Sequence, residues 1–219
     1  MTNRVGAYAV DATAKTVFKA SNVAPQSLAF ISEPPRRREL LLGLGLAFTI
    51  RPADLDETPF PNEEPGPYVL RLAQAKAAAV VQPGELALAA DTVVVLDGEL
   101  LGKPVDVRDA ETMLAKIAGR EHQVYTGVAL HHAGEPLRQV SNLTRSNVRM
   151  AAMDERTIRW YVATGEPMDK AGSYAVQGLG ALFVEAIDGN YTNVVGLPLP
   201  SVKALFGELG WGVLGWVGR

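Results

Sequence analysis

Three consecutive arginines stand at the start of a predicted helix, where cations are unfavourable. Residues 31–45, ISEPPRRRELLLGLG, place Ser32 and two prolines before a leucine-rich run that ends in glycines, a pattern typical of a capped helix. Arg36, Arg37 and Arg38 fall in its first turn. A helix N-terminus carries partial positive charge and favours anions. The arginines are therefore explained if an anion such as phosphate binds between them and the helix amides.

Two charged residues interrupt apolar patterns further along the chain. Lys76 shares a helical stripe with apolar residues such as Ala73 and Val80, so its ammonium must reach solvent along the helix surface or meet an anion. Asp91 lies inside the run LALAADTVVV, where a carboxylate is costly unless cations, a metal or hydrogen-bond donors meet it. The local pattern leaves two interpretations of Asp91 open: a buried functional carboxylate, or a turn that breaks the strand.

The remaining candidates are weak alone and informative as a set. Lys103 follows a glycine in LLGKPV, Glu57 lies in an acidic loop, and Lys170 lies in a long polar connection. With the arginines and Lys76, these lysines give four or five cations, and Asp91 and Glu57 give two carboxylates. Such a set suits a polyphosphate bound with a divalent metal. We therefore predict one cleft that gathers Arg36, Arg37, Lys76, Asp91 and Lys103. The chain has neither the P-loop nor the dinucleotide-binding glycine pattern, so the phosphate site is of neither common type.

The elements that must position these residues alternate between strands and helices, which predicts an α/β domain with a mixed sheet. An Asp97-Gly98 turn signal predicts a hairpin. The other predicted elements are strands at 27–32, 46–52, 122–132, 142–150 and 180–189, and helices at 68–81, 106–119, 154–165 and 199–210. Loops are predicted at 53–67 and 166–180. Connections as long as the one at 166–180 are often binding loops.

Composition limits the classes of function. The chain has 219 residues, a net charge of −3 and no cysteine, which excludes disulfides and thiolate metal sites and gives no broad footprint for nucleic acid or membrane. Its histidines, His122, His131 and His132, lack zinc-site spacing and are predicted to be solvated. We interpret residues 1–26 as an extension of unknown role, without a secretory signal. The cytoplasm is the expected location.

Taken in order, eight motifs resemble those of the Maf family, nucleotide pyrophosphatases related to the inosine-triphosphatase group. They are FISEPPRRRELL, LDETP, LAQAKA, AADTVVV, LGKP, HQVYTGVAL, YVATGEPMDKAGSYAVQG and NVVGLP. The resemblance covers about residues 28–207. It implies a twisted mixed sheet flanked by helices, with a central substrate cleft, in a single domain at 27–219.

The resemblance also implies an activity and roles for matched residues. The activity is hydrolysis between the α- and β-phosphates of a nucleoside triphosphate, with Mg²⁺ or Mn²⁺ as cofactor, and a homodimer is allowed. Asp91 takes the position of the base for the attacking water, and Glu57 lies near the metal. The phosphate-binding positions are Ser32, Arg37, Lys76 and Lys103. The positions that discriminate between bases are Arg36, Thr92 and Gln177, and this set is that of the family branch that prefers dTTP and UTP.

The match departs from the family pattern at one point, where Glu33 and Pro34 replace a small residue and serine. A glutamate in a phosphate-binding turn would either repel substrate or join the metal site. Two alternatives stay open: hydrolysis of 7-methyl-GTP, as in the other branch, and a non-enzymatic nucleotide-binding regulator of septum formation, which the altered Glu33 and Pro34 favour. The full set of acids and cations argues against the regulator, because binding alone would not require it. A link to cell-division control is left open.

Overall fold

A mixed sheet of seven strands forms the centre of the computed structural model, which describes residues 25, 27–31, 35–134 and 137–216. The strands run in the order β2-β1-β3-β5-β6-β7, and β4 pairs with β3. Pairing of β1 with β2 and β3 is parallel, and the other pairings are antiparallel. The strands are β1 (Ser27–Ile31), β2 (Thr49–Ile50), β3 (Glu85–Leu96), β4 (Glu99–Leu101), β5 (Glu121–His132), β6 (Arg138–Met150) and β7 (Val184–Asp188).

Helices cover both faces of this sheet, which confirms the predicted fold class. They are α1 (Pro35–Gly43), α2 (Pro65–Val80), α3 (Val107–Ile117), α4 (Glu155–Ala163), α5 (Tyr191–Val195) and α6 (Leu199–Glu208). Asp106 and Asp154 cap α3 and α4, since each carboxylate accepts a backbone N–H of the first turn. No helix in the described part of the chain combines the length and the apolar character needed to cross a membrane.

Several predicted boundaries are wrong in instructive ways. The strand predicted at 46–52 is reduced to Thr49–Ile50, and the loop at 166–180 folds into short 3-10 turns. A third 3-10 segment, Gly178–Phe183, occupies the start of the strand predicted at 180–189. The five-residue helix α5 was not predicted. All of these elements are too short for hydrophobic periodicity to identify.

The alternation of side chains along β3 assigns each helix to a face. Ala87 and Ala89 pack under α2 in a layer of small side chains, whereas Leu86 and Leu88 belong to the core that includes α6. The alanines and Gly127 of β5 allow α2 to approach closely. A Cβ atom on Gly127 would lie 2.4 Å from the carbonyl oxygen of Val69. Since Gly127 is paired with Asp91, this close approach brings α2 next to that carboxylate.

A gap in strand pairing marks the place where the sheet opens. On one edge of β3, pairing with β1 ends at Ala89 and pairing with β4 begins at Val94. Within the described residues, no strand covers positions 90–93 on that edge. The backbone N–H and C=O groups at these positions must hydrogen-bond to partners other than a strand. The space beside them is open and can form a cleft.

The prediction of solvated histidines is wrong for two of the three. His122 is fully buried on β5 and shares a 2.8 Å hydrogen bond with the hydroxyl of Tyr174. Burial lowers the pKa of His122 to about 4, so the imidazole is neutral at physiological pH. His131 is also buried, and burial lowers its pKa. The period of the strand alone could not tell which face of β5 would be covered.

Candidate active site

The predicted cations and carboxylates meet in one cavity of about 270 Å³ beside the open edge of β3. We call this cavity the phosphate cleft. Its lining includes Arg36, Arg37, Glu57, Lys76, Asp91, Thr92 and Lys103. Five separate elements and loops therefore supply side chains that are up to 67 positions apart in sequence, from 36 to 103. Ser32, Glu33 and Pro34 lie outside the described residues.

Asp91 is a buried strand residue and not a turn. Its side chain is 12% exposed, and its Oδ1 lies 2.6 Å from the Nζ of Lys76. The same ammonium lies 2.6 Å from Oε1 of Glu57. Lys76 is therefore not a lysine that extends to solvent, since it sits between two carboxylates at the floor of the cleft. The ammonium therefore places a compensating positive charge directly beside a buried carboxylate.

Arg37 closes the open edge of β3 from the first turn of α1. Its Nη1 donates to the carbonyl of Ala90 at 2.9 Å, and its Nη2 donates to Oγ1 of Thr92 at 2.8 Å. Burial lowers the pKa of Arg37 to about 10, against the opposing charge of Asp91, so the side chain remains charged at neutral pH. Its Nε is buried without a hydrogen-bond partner within the described residues. The guanidinium of Arg37 therefore hydrogen-bonds the open edge of the sheet and also lines the phosphate cleft.

Arg36 is held by the C-terminal end of α5. Its Nε donates to the carbonyl of Val195 at 2.8 Å. Burial lowers its pKa, and the charge of Asp169 partly offsets this effect. Gly196 is needed next to these arginines because its φ is 111° and an added Cβ would lie 2.9 Å from Nε of Arg37. The NVVGLP motif therefore shapes the wall behind both arginines.

A second cavity of about 260 Å³ adjoins the first and shares Arg36 and Thr92 with it. We call it the base pocket, after the role that the family resemblance implies for Gln177. Gln177 and Lys170 line it together with apolar side chains such as Val94 and Tyr174. Each cavity alone falls just below the usual range for ligand sites, and the two joined fall within it. Lys170 lies in this cavity and not in the phosphate cleft.

Glu166 holds the turn that carries Gln177. Its carboxylate accepts hydrogen bonds from the hydroxyl of Tyr161 and the backbone N–H groups of Leu179 and Gly180, at 2.8, 3.0 and 2.8 Å. Burial alone would raise the pKa of Glu166, but these donors outweigh burial and the pKa lies below its ordinary value. The ionised carboxylate is therefore a fixed anchor beside the base pocket.

Two residues of the phosphate cleft were missed by sequence reasoning. Tyr68 donates from its hydroxyl to the carbonyl of Glu57 at 3.0 Å. Burial raises the pKa of Tyr68 to about 12, and the charges of Asp91 and Glu57 act in the same direction. Asp169 lines both cavities and forms an ion pair with Lys170. The polar residues of the YVATGEPMDKAGSYAVQG motif were the signal that could have identified Asp169.

The donor set fits a divalent cation delivered with a polyphosphate. No cluster of three or more candidate ligands exists within the described residues. Asp91 and Glu57 nevertheless place carboxylate oxygens around one point, the Nζ of Lys76. Mg²⁺ commonly binds through one or two carboxylates, with substrate phosphates and water completing its ligands. These two carboxylates match that type of site and do not match a site formed by protein alone.

Comparison with known proteins shows which family this chain is similar to. The family described as Maf-like protein matches residues 27–209. A dTTP/UTP pyrophosphatase of Anaeromyxobacter dehalogenans (strain 2CP-C) is 50% identical over 86% of this chain and 96% of its own length. The proteins of that name from Pelotomaculum thermopropionicum and Myxococcus xanthus are 48% and 47% identical, over 86% and 84% of this chain and 100% and 92% of theirs. The Staphylococcus aureus Ham1 protein, a solved structure, aligns with a TM-score of 0.40 at 14% identity, over 57% of this chain and 72% of that one.

Proposed function

The chain belongs to the Maf family, and we propose that it hydrolyses the bond between the α- and β-phosphates of dTTP or UTP. The products are the nucleoside monophosphate and pyrophosphate. One observation carries this proposal: a buried carboxylate, Asp91, stands among cations in a cleft that continues into a pocket lined by Arg36, Thr92 and Gln177. The relatives named dTTP/UTP pyrophosphatases support the same choice of substrate.

In this reaction the cleft residues bind and orient the triphosphate. Arg37, Lys76 and Lys103 face the phosphate oxygens, on which negative charge develops during cleavage. Asp91 accepts a proton from the attacking water. Glu57 would hold the divalent cation, Mg²⁺ or Mn²⁺, which supplies charge neutralisation at the phosphates when bound. Ser32 stays a predicted phosphate-binding residue.

The base pocket selects the pyrimidine. The side-chain amide of Gln177 offers a donor and an acceptor, which suits the ring N–H and carbonyls of uracil and thymine. Arg36 and Thr92 lie where the two cavities join and therefore sit between base and phosphates. We place the reaction in the cytoplasm, where its nucleotide substrates are found, within a single domain at 27–219 and with a homodimer allowed.

A release assay across the nucleoside triphosphates tests the proposal. Purified protein with Mg²⁺ or Mn²⁺ is supplied with UTP, dTTP, CTP, ATP, GTP and 7-methyl-GTP, and pyrophosphate is resolved from phosphate. We expect pyrophosphate from UTP and dTTP at the highest kcat/KM. Release of single phosphate would contradict cleavage at the α–β bond. Faster turnover of 7-methyl-GTP would assign the chain to the other branch, and binding without any release would favour the regulator.

Gln177→Glu is expected to shift selectivity away from UTP. An ionised glutamate only accepts hydrogen bonds, so it would face the pyrimidine carbonyls with unpaired negative charge. A mismatched buried polar group costs roughly 1–3 kcal/mol, so the ratio of kcat/KM for UTP over 7-methyl-GTP should fall by about tenfold. The exposed Gln139→Glu provides the matched control, because Gln139 lies outside both cavities. An unchanged ratio would show that Gln177 does not contact the base.

A further inference from the structure

A chain of hydrogen bonds with one possible direction runs behind Thr92. Nη2 of Arg37 lies 2.8 Å from Oγ1 of Thr92, which lies 2.9 Å from Oγ1 of Thr126. Oγ1 of Thr126 lies 3.1 Å from the carbonyl oxygen of Asn193. Thr126 is fully buried on β5 and pairs directly with Thr92 of β3. It lines neither of the two cavities.

The two ends of the chain fix the position of every proton. A guanidinium can only donate, so Thr92 accepts from Arg37. A backbone carbonyl can only accept, so the single hydroxyl proton of Thr126 points to Asn193. The bond between the two threonines must therefore be donated by Thr92. The carbonyl of Gly196, at 3.5 Å from Oγ1 of Thr92, is a much poorer acceptor than Thr126 at 2.9 Å.

Thr92 is left with one lone pair and no proton to offer to a ligand. A hydroxyl has one donor and two acceptor sites, and Arg37 and Thr126 use the donor and one acceptor. Thr92 remains partly exposed where the two cavities join. Any ligand group that hydrogen-bonds to Thr92 there must be a donor.

We propose that Thr126 is a positioning residue that makes Thr92 an obligate hydrogen-bond acceptor, so that the site accepts bases with a ring N3–H and rejects cytosine. This inference rests on the proposed function, since it needs a pyrimidine base in the pocket. Uracil and thymine carry a proton on N3, whereas N3 of cytosine is an acceptor. The amide of Gln177 can turn over to serve either a carbonyl or the amino group of cytosine. The fixed hydroxyl of Thr92 therefore makes the distinction.

The test compares kcat/KM for UTP and CTP in the unmodified protein and in Thr126→Val. We expect the unmodified protein to prefer UTP by roughly tenfold, the effect of one mismatched hydrogen bond. In Thr126→Val, Thr92 keeps only the poor acceptor at the carbonyl of Gly196, 3.5 Å away, and can turn its proton to N3 of cytosine. The ratio of kcat/KM for UTP over CTP should therefore fall toward unity. The carbonyl of Asn193 keeps its bond from the N–H of Gly196 at 2.9 Å, so no backbone group is left unpaired.

Two further variants separate positioning from packing. Thr126→Ser keeps the hydroxyl and should keep the preference for UTP. Thr144→Val makes the same chemical change at the residue paired with Thr126 on β6, where the hydroxyl bonds Ser201 and not Thr92, and it should keep the preference too. A purely structural role would lower turnover of both nucleotides equally. Thr126→Ala replaces the valine variant if the latter does not fold.

The outcomes distinguish this inference from the proposed function. The inference is wrong if the unmodified protein shows no preference for UTP over CTP. It is also wrong if Thr126→Val leaves the ratio of kcat/KM for UTP over CTP unchanged, or if Thr126→Ser loses the preference for UTP. If neither nucleotide is hydrolysed, the proposed function is wrong. The inference is then decided by calorimetric binding of the α,β-imido analogues of UTP and CTP, for which the same ratio and the same changes are expected.

Discussion

Asp91→Asn is expected to lower kcat for UTP by about 10²–10⁴-fold, the usual cost of losing a general base, while nucleotide affinity stays close to that of the unmodified protein. Asparagine keeps the shape of the side chain but cannot accept the proton of the attacking water. Lys76 would lose one of its two carboxylate partners and keep Glu57, so the cleft retains its cations. Steady-state release of pyrophosphate and calorimetric titration with an α,β-imido analogue measure the two quantities.

The matched control for this variant is Asp97→Asn. Asp97 belongs to the hairpin turn, has a φ of 52° and pairs only with Arg120 in the described contacts. Asparagine tolerates this left-handed conformation well, so folding and activity should be unchanged. Near-normal turnover in Asp91→Asn would show that Asp91 is not the base, and Glu57 would become the next candidate within the described residues.

The sequence predicted which residues would lie close together because each of them is unfavourable in its own local context. Arginines at a helix start, a lysine in an apolar stripe and an aspartate in an apolar strand are each costly alone. Placing these residues in one cleft offsets the costs, because the cations and the carboxylate compensate one another there. Local pattern left the environment of Asp91 undecided between a buried site and a turn, and the twelve-residue strand β3 decides for burial. The resemblance to a family, and not the pattern, pointed to Thr92 and Gln177.

What the sequence could not predict depends on tertiary pairing. The open edge of β3 exists because its pairing with β1 ends at Ala89 and its pairing with β4 begins at Val94, and this is a property of register between distant segments. Thr126 is one threonine in a β-rich segment, and only the pairing of β5 with β3 reveals that it fixes the proton of Thr92. Short 3-10 turns give no periodic signal, so the support of Gln177 by Glu166 was hidden as well.

Arg37→Lys is expected to lower both stability and activity, although the charge is kept. Arg37 donates from two different nitrogens to the carbonyl of Ala90 and the hydroxyl of Thr92. An ammonium is a single point with a different reach and cannot reproduce the planar geometry of a guanidinium. At least one buried partner is left unsatisfied, which costs about 1–3 kcal/mol in the free energy of unfolding. Urea denaturation followed by circular dichroism measures this loss.

The effect on activity should be larger than that of a change in the base pocket. Arg37 also orients the hydroxyl of Thr92 and lines the phosphate cleft, so its replacement disturbs base and phosphates together. We expect kcat/KM for UTP to fall on the order of 10- to 100-fold, which corresponds to the loss of one or two charge-assisted hydrogen bonds. Arg38→Lys is the matched control, because Arg38 is the exposed neighbour on the same turn of α1. Equal behaviour of the two variants would mean that the bidentate contacts of Arg37 contribute nothing to the site, and that Arg36 alone explains why arginines stand at this helix start.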